Sequence, residues 1–343
     1  MNNIKVSVII PCFNSSLTIE KSLNSIINQN FNNFEIIIVD NNSTDNTTNI
    51  AEKTLSKSNI PYKIIINKEN KGPSFSRNIG INQAKGNHLI FIDSDDTVSP
   101  NHIPNLYNNI NPQNQASFVK LVKVDKNSNP ISNPNAYEEL LKYKSVSNTN
   151  ADSIFSINSK DLIKSELLMR IPLSFTQLIY NKEILNKNNL RFNESLFYGE
   201  DTDFALRYLA YINNVNIIYE DSYFYHHHDK STTHNAHFER FDFVKVLENL
   251  ALFYETLNHN DLKDLIITNR IPKSIFGNIM YLFYKDCPFK KVMNEIEKRN
   301  LINKLSNFKK YDALDKKFEN KVKYFIKSPK TYYKFWKKFK NSI

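Results

Sequence analysis

The sequence predicts an α/β fold, a mostly parallel central sheet with helices on both faces, followed by a mainly helical C-terminal region. Three observations carry that expectation. Between Lys5 and Asp93, short runs of continuous apolar residues alternate with segments of helical spacing. Strands that are apolar along their whole length are buried on both faces, the condition of a parallel sheet covered by helices. From Phe238 onward, helical spacing dominates.

The elements follow in order. Lys5 to Ile10 (KVSVII) reads as a buried strand ended by Pro11. Leu17 to Gln29 has helical spacing through Leu17, Leu23, Ile26 and Ile27. Phe34 to Asp40 (FEIIIVD) is a second buried strand, and the cap-type residues NNSTDNTT lead into a helix, with Asp45 its best capping residue. Tyr62 to Asn67 is a third strand. SFSRNIGINQAKG reads as a helix closed by Gly86, and NHLIFID as a fourth strand. A helix begins near Pro100, and Ser117 to Val124 is a further strand. Asn127 to Asn150 is rich in Asn, Ser and Pro and reads as loop with a short helix at Tyr137 to Tyr143. Phe175 to Leu185 reads as a helix or a strand–helix pair. A loop then enters an amphipathic helix near Asp203, and Val215 to Tyr219 is a strand.

Composition bounds the rest. With 343 residues, 41% hydrophobic and 23% charged, the chain suits a globular protein with a large core or two modest ones. No run approaches the ~20 apolar residues of a membrane span, and MNNIKVSVIIP enters a strand pattern without the apolar region of a signal peptide. The two cysteines, Cys12 and Cys287, fit a reducing cytoplasm and make no thiolate metal site. From Leu301 to Ile343 the chain has 13 lysines against three acids, a surplus equal to its whole net charge of +10. That distribution argues against a nucleic-acid coat and for contact with an anionic surface at one end.

One cluster stands out. Phe91 to Asp96 reads FIDSDD, three carboxylates in four positions at the end of an apolar strand. Such crowding raises the cost of ionising each one, so a proton or a positive group belongs there. Parallel sheets bind ligands beyond the carboxyl ends of their strands. Those ends also carry Asn14 and Asp40. Three of only five glycines, Gly72, Gly80 and Gly86, precede the cluster. The plain alternative is an acidic turn capping the next helix.

The ordered set VSVIIPCFN, FEIIIVDNNSTDNT, NKGPSFSRNIGINQAKGNHLIFIDSDD and LRFNESLFYGEDTDFALR resembles the family 2 glycosyltransferases of GT-A fold, a Rossmann-like architecture. The resemblance covers residues 4 to 235. It implies a catalytic domain over 1–235, with a nucleotide-binding half at about 1–98 and an acceptor half at about 99–235, followed by a helical region over 236–343. It implies an inverting transfer from a UDP-sugar to a glycan or lipid-linked glycan of a surface polysaccharide, assisted by Mn²⁺ or Mg²⁺. Hard cations of this kind prefer carboxylate oxygens.

Residue by residue, the resemblance gives Asp95 to the metal and Asp93 and Ser94 to the nucleotide-sugar. Asp40 would hydrogen-bond the base. Arg77 would contact base or diphosphate, and Pro11, Phe13 and Asn14 would line the base pocket mainly through backbone. Asn41 stands where the family commonly has an acid, which weakens any role there. Asp201 is implied as the base that deprotonates the acceptor hydroxyl, with Glu200 orienting it or the acceptor; the alternative is an acidic helix start. Asp96 is a functional acid, a cap or a partner for Arg77. In the run Tyr225 to Thr232, His228 matches best the position that closes over the metal, His226 sits where the family often has Arg, and His227 alternates to the other side.

Three rival readings weigh against this one. A nucleotidyltransferase also uses paired acids, but it would want a Gly-rich basic loop that VSVIIPCFNSS lacks. A non-catalytic scaffold of the same fold should have lost some of Asp40, Asp93, Asp95 and Asp201, and all four are present. A processive synthase would carry membrane spans and a QxxRW motif, and neither occurs. Finally, Tyr332, Phe335, Trp336 and Phe339 make one helical stripe among lysines, which fits either core packing or docking of residues 327–343 on the inner face of the cytoplasmic membrane.

Overall fold

The structure, a computed structural model, describes residues 4–131, 133, 135–144, 153–227 and 238–340. In chain order the first elements are β1 (Val6–Cys12), α1 (Ile19–Ile27), β2 (Phe34–Asp40), α2 (Thr47–Leu55), β3 (Tyr62–Ile66), α3 (Pro73–Gln83), β4 (His88–Phe91) and β5 (Thr97–Val98). Then come α4 (His102–Asn108), β6 (Asn114–Val124), α5 (Glu138–Leu141), β7 (Ile154–Asn158), α6 (Ser159–Leu167), β8 (Tyr180–Asn181), α7 (Lys182–Lys187), α8 (Glu200–Leu209) and β9 (Asn214–His226). The remainder is helical: α9 (Phe243–Thr256), α10 (Asn260–Leu265), α11 (Ile271–Tyr284), α12 (Phe289–Lys298), α13 (Leu301–Ser306), α14 (Asp315–Lys327) and α15 (Pro329–Phe339). The chain divides into two compact units, 1–166 with 170–229, and 167–169 with 230–343.

In the first unit one sheet has the order β3-β2-β1-β4-β8. β1 to β4 are mutually parallel and β8 is antiparallel. Every residue of β1 and β2 is buried, as their continuous apolar runs require. A second sheet has the order β5-β9-β6, with β7 also paired to β9.

Two polar residues are buried at the entry of these strands, and both are satisfied. Ser7 Oγ donates to Glu35 Oε1 at 2.6 Å, and Glu35 Oε1 also accepts Lys85 N at 2.6 Å. Gly86 N donates to Ser7 Oγ at 2.9 Å. This pulls the α3–β4 turn onto β1. A Cβ at position 86 would lie 2.6 Å from Ser7 N and Val6 C, so the position accepts only glycine without a shift of backbone. Gly86 is therefore a close-approach glycine, not the cap that closes α3, which ends at Gln83.

Other expectations are corrected in detail. Pro11 lies inside β1, paired with Val39 of β2. The β1–β4 ladder stops at Ile9, while Cys12 O accepts Asn41 N from the β2 side. Pro11 thus faces the side where no ladder partner remains, and its missing N–H leaves nothing unpaired. Helix α1 starts at Ile19, and Leu17 is 98% exposed. β9 runs 13 residues, well beyond Tyr219, because it pairs with β6 on one side and with β5 and β7 on the other.

The second unit packs aromatic rings into its own core. Tyr332 of α15 is buried, with its ring 5.9 Å from that of Phe276 and 5.7 Å from that of Phe325. The Trp336 ring lies 5.7 Å from Phe283. Phe335, by contrast, is 57% exposed. The aromatic stripe is therefore split: Tyr332 and Trp336 pack inward and Phe335 faces out, while the side chain of Phe339 lies outside the described residues. No helix among the described residues is long and apolar enough to cross a membrane.

Candidate active site

The carboxyl ends of β1, β2 and β3 are in register at Cys12, Asp40 and Ile66. The loops that leave these ends, with the one after β4, form one edge of the sheet. Asn14 adopts a left-handed conformation (φ 50°), which Asn tolerates better than most residues. It joins two loops: Asn14 N donates to Ser43 Oγ and Asn14 Oδ1 accepts Thr44 N, both at 2.8 Å. Ser16 N and Thr47 N donate to the Asp45 carboxylate at 3.0 Å each. Burial is the largest single influence and opposes its charge, but the bonds from Thr47 and Ser16 together prevail and bring its pKa down to about 2.

Asp40 is fully buried at the end of β2. Its Oδ1 accepts Ser43 N at 2.6 Å, and its Oδ2 is buried without a hydrogen-bond partner. Asn41 does more than the sequence promised. Its Nδ2 donates to Asn70 Oδ1 at 2.6 Å, and its Oδ1 accepts Asn67 Nδ2 and Lys71 N at 3.1 Å. An ionised carboxylate could accept these bonds but could not donate to Asn70. Asn41 thereby fixes the loop that leads to Gly72 and the start of α3.

Arg77, on α3, is the electrostatic centre. Its Nη2 bonds Asp93 Oδ1 at 3.0 Å and its Nη1 bonds Glu200 Oε1 at 3.3 Å. The guanidinium carbon lies 4.4 Å from the Phe175 ring and 5.3 Å from the Phe192 ring, and Phe192 stacks on Phe204 at 3.8 Å. Burial opposes the Arg77 charge, but Asp93, Glu200 and Asp201 hold it protonated above the usual arginine range. The Glu200 carboxyl is pushed up, first by burial and then by the Asp201 charge, with Arg77 opposing.

The three acids of FIDSDD have separate surroundings. Asp93 is held by Arg77. Asp96 is 1% exposed and accepts Tyr223 Oη at 2.7 Å and His226 N at 3.0 Å, so it fastens this loop to β9. Burial, then the charges of Asp93 and Asp95, raise its pKa well above the carboxylate range. Asp96 is thus neither a cap nor the partner of Arg77. Tyr223 Oη also accepts Asp93 N at 3.2 Å. Ser94 Oγ lies 2.7 Å from Ser15 Oγ.

Glu200 and Asp201 open α8 immediately after Gly199, which is left-handed at φ 79°. That conformation suits glycine and turns the chain sharply into the helix. Asp201 Oδ1 accepts Thr202 N at 2.7 Å. His226 is buried, with Nε2 2.9 Å from Thr97 Oγ1, and His227 is exposed. His228 lies outside the described residues.

A cavity of about 230 Å³ opens among these loops. Of the predicted residues, Pro11, Phe13, Arg77, Asp93, Ser94 and Asp95 line it; Asn14, Asp40, Glu200 and Asp201 do not. Cys12, Asn41, Asn70, Gly72, Pro73 and Ser76 complete the lining. Nothing in the sequence marked Asn70 or Ser76, whose places depend on the loop folding back; the paired Asn41 and Asn70 were legible only as polar loop residues. Asp93 and Asp95 present hard oxygen donors to one cavity. That set fits a small divalent cation whose remaining ligands are phosphate oxygens and water rather than a full protein cage. No cluster of three or more His, Cys, Asp or Glu side chains in metal-holding geometry occurs among the described residues.

The family model described as "Glycosyl transferase family 2" matches residues 7–170. The chain is 28% identical over 224 residues to the poly(ribitol-phosphate) beta-N-acetylglucosaminyltransferase TarS of Staphylococcus aureus, covering 64% of this chain and 35% of that one. It is 30% identical over 223 residues to the GalNAc(5)-diNAcBac-PP-undecaprenol beta-1,3-glucosyltransferase of Campylobacter jejuni, covering 65% and 62%. The chain thus spans about a third of the first relative and less than two thirds of the second. In three dimensions it matches the crystal structure of S. aureus TarS 1–349 in complex with UDP-GlcNAc, with a TM-score of 0.66 and 22% identity over 88% of this chain and 81% of that one.

Proposed function

The chain belongs to glycosyltransferase family 2 with its GT-A fold, and we propose that it moves a sugar, with inversion, from a UDP-sugar to a glycan acceptor of a surface polysaccharide or lipid-linked oligosaccharide. The observation that carries the reading is the buried Arg77 bridge. It joins Asp93, on the cavity, to Glu200, at the start of α8, across 107 residues of sequence. One electrostatic cluster then serves the donor on one side and the acceptor on the other.

In this reading the base of the nucleotide enters the cavity beside Pro11 and Phe13; Asp40, buried and off the cavity lining with its Oδ2 unpartnered, would accept a base N–H only if the loop after β2 opens to uncover it. Asp95, with Asp93, would hold Mn²⁺ or Mg²⁺, which when bound supplies positive charge for the departing diphosphate. Arg77 holds Asp93 in place. The acceptor hydroxyl attacks the anomeric carbon, its proton passes to Asp201, and the bond to the diphosphate breaks with the electron pair on UDP. Glu200, tied to Arg77, positions Asp201. His228 is proposed as a further metal ligand by its place in the sequence alone.

The test is a panel of nucleotide-sugars incubated with the protein and Mn²⁺, scoring free UDP. We expect slow hydrolysis of one UDP-sugar without acceptor and faster release with it. UDP binding without turnover of any donor favours the scaffold alternative, and no nucleotide binding rejects the proposal.

The proposal extends to an anionic membrane surface. Lys327, Lys330, Lys334, Lys337 and Lys338 are exposed on or beside α15, and no acid occurs from Asn320 to Ile343. Each lysine near an anionic leaflet contributes about 1 kcal/mol. Because Tyr332 and Trp336 are core, truncation would unpack the unit, so charge is the better variable. Converting Lys330, Lys334, Lys337 and Lys338 to Gln should abolish sedimentation with phosphatidylglycerol vesicles at low salt. If the unaltered protein stays in the supernatant, membrane docking is wrong.

A further inference from the structure

We propose that Phe197 and Tyr198 form the acceptor subsite, an exposed aromatic platform on which a neutral pyranose ring of the acceptor stacks. The proposal rests on the glycosyltransferase reading and deepens it, because it names a sugar ring as the acceptor's reacting end.

The first support is exposure. Phe197 is 75% exposed, and it does not stand singly but beside a second ring. Its ring meets that of Tyr198 edge to face, with centroids 5.1 Å apart and planes at 79°. The two rings make an angled surface, and neither is buried.

The second support is place. Gly199, Glu200 and Asp201 follow directly, so the Phe197 and Asp201 Cα atoms are at most about 14 Å apart. That is the reach of one or two sugar rings from the proposed base. The loop is also fastened at its foot. Asn78 Nδ2 donates to Phe192 O at 2.9 Å and to Glu194 Oε1 at 2.8 Å, and Phe192 N donates back to Asn78 Oδ1 at 2.9 Å. Neither aromatic ring lines the nucleotide cavity, so the donor leaves them available.

The third support is charge. From Phe192 to Asp203 the chain has four acids and no Lys or Arg; Glu200 is paired with Arg77 and the buried Asp203 with Arg207, so the negative surplus rests on Glu194 and Asp201. An acidic rim repels a phosphate-rich chain or an anionic leaflet. It accepts a neutral ring, whose C–H face packs on an aromatic surface while its hydroxyls remain in water or meet carboxylates.

The experiment uses the full chain with UDP and Mn²⁺, and saturation-transfer NMR with three probes: methyl β-glucopyranoside, methyl β-N-acetylglucosaminide and ribitol 5-phosphate. We expect ring protons of at least one pyranoside to receive saturation and ribitol phosphate to receive none. Phe197→Ala should weaken the pyranoside roughly tenfold, Phe197→Trp should retain it, and UDP affinity should be equal in all three proteins. If UDP binds but Phe197→Ala leaves the pyranoside unchanged, or if ribitol phosphate is the better probe, the platform is overturned and the glycosyltransferase reading stands. If UDP fails to bind the unaltered protein, the underlying reading fails and the platform with it.

Discussion

Asp95→Asn is expected to remove the metal dependence of nucleotide binding and to lower turnover by roughly 10³-fold or more, the scale of several kcal/mol of charge stabilisation. The expectation follows from the division of labour within FIDSDD. Asp93 Oδ1 is engaged by Arg77, and Asp96 is held by Tyr223 and His226 in a buried position. Asp95 lines the cavity beside Asp93 and Ser94. Asn is isosteric, so the fold should survive, with an unchanged thermal midpoint. Calorimetric titration of UDP, with Mn²⁺ and then with EDTA, reads the effect directly. The unaltered protein should bind more tightly with Mn²⁺, and the variant should bind equally weakly in both. If both proteins bind UDP identically with and without Mn²⁺, the metal has no part in nucleotide binding here. Asp96→Asn makes a useful contrast. It removes a clamp to β9, and its larger effect should be on stability.

The sheet was legible because its strands carry a strong signal. A strand buried on both faces has no alternation to decode, and VSVII, FEIIIVD and HLIFI leave little choice. The candidate site was partly legible for the same reason, since Asp40 and the FIDSDD acids sit at strand ends. What could not be read is whatever depends on distant packing. Arg77 looked like a ligand-contacting residue, and only the fold shows it resting against the adjacent rings of Phe175 and Phe192 and bonded to two acids. Asn41 looked like a loss relative to an acid, yet its donor and acceptor together fasten the loop at Asn70 and Lys71. Strand β7 and helix α6 went unseen because β7 is specified by its pairing with β9, a partner about 60 residues away, and not by local pattern. Pro11 misled for a related reason. Its effect on a strand depends on which neighbour its missing N–H would have faced.

Asp201→Asn should keep the donor and lose the transfer. Asn Oδ1 still accepts Thr202 N, so the first turn of α8 is preserved, and UDP affinity with Mn²⁺ should match the unaltered protein. Only proton acceptance is removed, and general-base contributions run to roughly 10²–10⁴-fold in kcat. A second readout separates chemistry from structure. The Asp201 charge is one of the causes that raise the Glu200 carboxyl, so removing it should bring that carboxyl down toward the ordinary range. The sign follows from electrostatics: one negative neighbour fewer favours the ionised form. Carbon-13 NMR titration of Glu200 in both proteins measures the change. A variant that transfers sugar at the original rate would place the base elsewhere on the acceptor side, whatever the Glu200 titration shows. A variant that loses transfer and UDP affinity together would mean that α8 supports the nucleotide loops through Arg77, and that Asp201 acts through position rather than as a proton acceptor.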